Sequence, residues 1–120
     1  MNETHFKKKI NDLLKETGAF IINLHGHGMQ KVGLPDTLIL HPKYSFFIEF
    51  KIKNNKCSEI QKIQIQAIKK QKFPVVVLRL NDNNIVDIEN EDGNSCNYQC
   101  RNLDLNKING WILLNNLSNL

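Results

Sequence analysis

Gly33-Leu34-Pro35-Asp36-Thr37-Leu38-Ile39-Leu40, the turn His41-Pro42-Lys43-Tyr44, and then Ser45-Phe46-Phe47-Ile48-Glu49-Phe50-Lys51-Ile52 decide the reading of this 120-residue chain. The outer segments read as two strands, 35–40 and 45–52, with Pro35 at a first position where no ladder hydrogen bond is lost. Residues two apart in a strand share a face. Ile48, Phe50 and Ile52 are therefore expected to enter a core, while Glu49 and Lys51 project together from the other face. A hairpin through the 41–44 turn brings Asp36 beside Glu49, so two carboxylates and an ammonium converge.

Two carboxylates that close repel one another, and a partly dry cleft makes the repulsion costly. A hard divalent cation resolves the conflict. Mg²⁺ takes one or two carboxylates plus water and phosphate oxygens, and Mn²⁺ is an expected substitute. Such an ion polarises a phosphodiester and lowers the pKa of bound water. Lys51 is then placed to orient the attacking water or to offset charge developing on phosphorus, and Phe50 to offer its backbone carbonyl as a ligand.

Outward from this pair, residues 3–16 read as an amphipathic helix. Phe6, Ile10, Leu13 and Leu14 share one face, and Gly18 is placed to end it. A short strand is expected over 19–24, and the glycines at 26, 28 and 33 mark a loop. Ser58-Glu59-Ile60-Gln61 matches a capping box and opens a helix running to about 72, with Ile60, Ile63, Ala67 and Ile68 as its expected buried stripe. Val75-Val76-Val77-Leu78 suits a strand covered on both faces. The order α-β-β-β-α-β predicts an α/β fold, a mixed sheet flanked by helices with one right-handed crossover. Beyond residue 80 a strand at 85–88, a turn at Asp92-Gly93 and a helix over 103–117 are expected.

Composition narrows the function. Residues 1–80 carry fourteen Lys/Arg against six Asp/Glu, and residues 81–120 carry two against six, so a basic body precedes an acidic third. That polarity suits a polyanion approaching one side. No apolar run is long enough for a membrane span, and no apolar leader follows Met1. Three cysteines make no disulfide scaffold, so a reducing, cytoplasmic setting is expected, prokaryotic or in a phage-infected host. One domain is expected over 1–120, its core at about 3–80 and an extension at 81–120.

Gly33-Leu34-Pro35-Asp36, twelve residues, then Glu49-Phe50-Lys51 resembles the PD-(D/E)XK nuclease motif. The glycine-bearing approach 26–36 and the Ser58-x-x-Gln61 helix leading to Phe73-Pro74-Val75-Val76-Val77 resemble its virus-type replication-repair (VRR-NUC) branch. The resemblance implies a restriction-endonuclease-like fold and a metal-dependent endonuclease acting on structured or branched DNA, often as a homodimer. It implies Asp36, Glu49, Lys51 and Gln61 as the catalytic set. Asp36, Glu49, the Phe50 carbonyl and Glu3 would be the metal ligands. The basic residue expected on the first strand is missing from Ile21, Ile22, Asn23 and Leu24, and His25 is the nearest stand-in. His25, His27, Gln30, Lys31 and Lys53 are the candidate DNA contacts.

Each position also has a plainer explanation. Glu49 and Lys51 could form a surface ion pair worth about 0–1 kcal/mol. Gln61 could serve only the capping box, and Glu3 only the positive helix end. His25 and His27 lack the cysteines of a structural zinc frame. The alternatives in function are a non-catalytic DNA-binding module of the same fold, and a Holliday-junction resolvase or restriction-type endonuclease sharing the metal centre.

Overall fold

The computed structural model describes residues 1–25 and 31–101, with backbone alone at 96–98, together with Asn106 and Gly110. Its elements run α1 (Glu3–Glu16), β1 (Phe20–Asn23), β2 (Thr37–His41), β3 (Tyr44–Ile52), α2 (Glu59–Lys70), β4 (Val75–Leu80), β5 (Val86–Glu89) and β6 (Ser95–Cys100). The six strands lie in sequence order in one sheet. All neighbours are antiparallel except β3 and β4, which are parallel and joined through α2. The expected parallel connection through α2 is present, and β5 and β6 extend the sheet past it. The helix expected over 103–117 lies outside the described residues but for Asn106 and Gly110, both helical.

Local chemistry explains the boundaries. The Asn2 side chain accepts the His5 N–H and caps α1; Gly18, at φ 89°, turns the chain out of it. Pro42 and Lys43 form the two-residue turn between β2 and β3. After β5 the Asp92-Gly93 turn closes with Gly93 N–H donating to Asn90 O at 3.1 Å.

The α1 face of the sheet holds the core. Phe6, Ile10, Leu13 and Leu14 of α1 meet Ile39, Phe46, Ile48, Phe50, Val76, Leu78, Val86 and Ile88, all buried. Phe6 stacks edge-on against Phe50 with ring centroids 5.6 Å apart. Val75, Val77 and Ile65 are buried on the opposite side, under α2.

The expected stripe of α2 is corrected. Ile60 and Ile63 are exposed, at 44% and 62%, and Ala67 is exposed too, whereas Ile65 is buried and Ile68 partly so. The helix is turned so that Gln61, Ile65 and Ile68 form its inward side. Burying an isoleucine is worth about 1.5–3 kcal/mol, but a buried carboxylate without a hydrogen-bond donor costs more. The face beneath α2 contains Glu49, and Gln61 supplies that donor.

Candidate metal centre

β2 begins at Thr37, not at Pro35 as the sequence suggested, because Pro35 has no N–H to give the ladder and the Asp36 side chain takes the next position's bond. Its Oδ2 accepts the Phe50 N–H at 2.9 Å. One carboxylate oxygen is thus pinned to the middle of β3, opposite Glu49, as the hairpin reading requires. The Leu24 N–H donates to Asp36 O at 2.9 Å and extends the β1 pairing by one residue. His25 therefore follows directly beside Asp36, with its Nε2 3.3 Å from Asp36 Oδ1.

Glu49 projects to the α2 side with only 3% of its surface exposed. Its Oε2 lies 3.2 Å from Lys51 Nζ and accepts from Gln61 Nε2 at 3.1 Å. Its Oε1 is buried and has no hydrogen-bond partner among the described residues. Burial pushes the Glu49 carboxyl up to about 7, the Asp36 charge adds to the rise, and Lys51 opposes it. Glu3, at the start of α1, adds a smaller upward push.

Gln61 fulfils both roles that the sequence left open. Its Oε1 accepts the Ser58 N–H at 2.9 Å while Ser58 Oγ accepts the Gln61 N–H at 3.2 Å, which completes the capping box. The same Oε1 accepts from Lys51 Nζ at 3.2 Å, and the amide nitrogen reaches Glu49. Gly33 lets the loop before Pro35 lie against this helix. At φ 86° its absent Cβ would stand 2.9 Å from the Ile60 carbonyl oxygen.

Ligand atoms of His25, Asp36 and Glu49 all fall within 4.8 Å of one another. Opposite ligands of a six-coordinate ion with bonds near 2.1 Å are about 4.2 Å apart, so a small closure of the side chains would fit one. The orphaned Glu49 Oε1 fits the same ion, since a buried acceptor left alone costs about 1–3 kcal/mol. The contact that Phe50 makes here is through its N–H. Glu3 is within electrostatic reach but is not one of the three.

Of the DNA-contact candidates, His25 joins this group and Lys31 is exposed on the loop beside Gly33. Lys53 lines a different cleft, of about 640 Å³, with Lys56, Lys62 and Arg79. His27 and Gln30 lie outside the described residues. Sequence reasoning missed Arg79, whose Nε lies 2.9–3.0 Å from both Glu89 oxygens. Its Nη1 donates to the Lys53 carbonyl at 2.7 Å and to that of Asn55, fastening the loop that leads into α2. The signal was an arginine inside the apolar strand Val75-Val76-Val77-Leu78-Arg79-Leu80.

The sheet, its single parallel pair and the flanking helices define a restriction-endonuclease-like fold. Among solved structures it is similar to Hjc, a Holliday junction resolvase from the archaeal hyperthermophile Archaeoglobus fulgidus. The two share a TM-score of 0.57 and 16% identity over 82% of this chain and 87% of that one. At that identity the likeness is one of fold. No family model and no curated protein matches the sequence. No helix among the described residues is long and apolar enough to cross a membrane.

Proposed function

We propose that the chain is a metal-dependent endonuclease of the VRR-NUC kind, a single nuclease domain that hydrolyses phosphodiester bonds in structured or branched DNA. The observation that carries this reading is the Glu49 carboxylate. It is almost wholly buried, faces Asp36, and keeps one oxygen without a partner among the described residues. A structural ion pair this deeply buried would be expected to find a donor for its second oxygen as well. Asp36 and Glu49 would hold Mg²⁺, or Mn²⁺ in its place, with Glu3 and the Phe50 carbonyl as further candidate donors. The ion would supply Lewis-acid polarisation of the phosphodiester and a more acidic water.

The chain's own groups do the rest. Phe50 N–H fixes Asp36, and Gln61 fixes both Glu49 and Lys51. Lys51 Nζ lies 3.2 Å from Glu49 Oε2, placed to orient water and to offset charge on phosphorus. The basic residues of 1–80 favour the polyanion, with His25, His27, Gln30, Lys31 and Lys53 as its proposed contacts. A junction-resolving activity is favoured within this class because Hjc, with the similar fold, is a Holliday junction resolvase. A homodimer would offer two centres to two strands, and the exposed Ile60 and Ile63 provide apolar surface for one. An intracellular setting, with DNA as its substrate, accords with this role.

The test is cleavage of linear, flap and four-way DNA with Mg²⁺, Mn²⁺ or chelator, alongside light scattering. Products with metal on the branched forms, lost in Asp36→Asn, are expected. Removing a metal ligand forfeits several kcal/mol of transition-state stabilisation, roughly a thousandfold or more in rate. Asparagine keeps an oxygen for the Phe50 N–H, so the fold should persist. Binding without products under every metal would favour the non-catalytic module instead.

A further inference from the structure

His25 is held more firmly than a loop residue meeting DNA by chance would be. Its backbone N–H donates to the Asn23 side chain at 3.0 Å, and the Leu24 N–H is tied to Asp36 O. These two bonds fix where the imidazole leaves the end of β1. With Asp36 Oδ2 occupied by the Phe50 N–H, the ring stands against the remaining oxygen, Oδ1, at 3.3 Å. Nearby, Glu49 Oε1 is buried and has no partner among the described residues. One nitrogen and two carboxylates within 4.8 Å make a donor set of a different character from two carboxylates alone.

Mg²⁺ favours oxygen ligands and gives up water reluctantly, whereas imidazole suits the borderline first-row divalent ions. We infer that His25 supplies a nitrogen ligand beside Asp36 and Glu49, and that this nitrogen gives the centre a preference for a first-row transition-metal ion over Mg²⁺. The inference rests on the metal-centre reading above and deepens it. Glu3, read from the sequence as a metal ligand, is left as a charge neighbouring the site, and His25, read there as a DNA contact, joins Asp36 and Glu49 instead.

The test uses the full chain without DNA, so it does not depend on cleavage. Mn²⁺ and Mg²⁺ affinities are measured by calorimetry, and Mn²⁺-loaded protein is examined by electron spin echo envelope modulation. Wild type should show ¹⁴N modulation that changes to the ¹⁵N pattern when histidine is ¹⁵N-labelled, and this readout needs no variant. His25→Ala should remove the modulation, lower Mn²⁺ affinity at least tenfold and change Mg²⁺ affinity less than threefold. Mn²⁺ bound at Asp36 and Glu49 with no nitrogen modulation overturns the inference and leaves the hydrolase reading intact. So does an equal loss of affinity for both ions. Absence of any stoichiometric binding of either ion overturns both.

Discussion

The two faces of the sheet solve opposite problems with the same strands. On the α1 side the inward residues of β3 and β4 are apolar but for the Tyr44 hydroxyl: Phe46, Ile48 and Phe50, then Val76, Leu78 and Leu80. One register step away, the α2 side carries Glu49 and Lys51 on β3, Arg79 on β4, and Asp87 and Glu89 on β5, with Val75 and Val77 among them. The first face needs only volume and apolar area. The second needs donors or acceptors for several charged side chains; among the described residues Glu49 Oε1 and Asp87 Oδ1 are left without one, as is Thr37 Oγ1 on the first face. Stability and chemistry are thereby separated by a single strand's thickness, and substitutions on the two faces should differ in size and in pH dependence.

The largest stability effect belongs to the α1 face. Phe6 is fully buried against Phe50, so Phe6→Ala loses transfer energy and opens a cavity, at a cost of about 3–5 kcal/mol. Urea denaturation measures it directly. A loss below about 1 kcal/mol would mean that α1 does not seal this face.

Next comes the ionisation of Glu49, where the sign of the effect is the informative part. The unfolded chain releases this proton near 4.5 and the folded chain near 7. Between those values the folded state binds more protons, so stability is fully present below about pH 4.5 and falls as pH rises toward 7. The loss is on the order of 3 kcal/mol, at 1.36 kcal/mol per pKa unit. Metal-free protein should therefore have a higher urea midpoint at pH 5 than at pH 8. Glu49→Gln should flatten that difference, and saturating divalent ion should restore stability at pH 8. An equally steep pH dependence in Glu49→Gln would place the titration elsewhere.

These two faces were not equally legible in the sequence. Alternation alone assigned Ile48, Phe50 and Ile52 to one side of β3 and Glu49 and Lys51 to the other, and the structure agrees. The capping box set the start of α2 to the residue, whereas β2 starts two residues later than the sequence placed it, at Thr37. What failed was the rotation of α2. Apolar spacing pointed to Ile60, Ile63 and Ala67, but the side chains awaiting that helix were charged, and a glutamine rather than an isoleucine satisfied them. His25 was read as a phosphate contact because nothing in its own neighbourhood shows that the end of β1 runs beside Asp36. That proximity arises from the β1–β2 pairing, a contact between residues far apart in the chain. Arg79 was passed over for a similar reason. Its partners, Glu89 and the carbonyls of Lys53 and Asn55, come from three separate segments.

The smallest effect is also the one that best resolves the double role of Gln61. Ser58→Ala removes only the hydroxyl that caps the helix, at a cost of about 1 kcal/mol, and should leave cleavage unchanged. Gln61→Ala removes the reciprocal acceptor for the Ser58 N–H at comparable cost. It also takes a donor from Glu49 Oε2 and an acceptor from Lys51 Nζ. With one hydrogen bond to its charged form gone, the Glu49 carboxyl should rise further above its ordinary range. The fall in stability with pH would then extend beyond 7 in Gln61→Ala and stay in place in Ser58→Ala. Urea midpoints across pH 5–9 for the two variants separate the outcomes. Identical profiles would reduce Gln61 to a cap, and the second face of the sheet would then rely on Lys51 alone to hold its buried carboxylate.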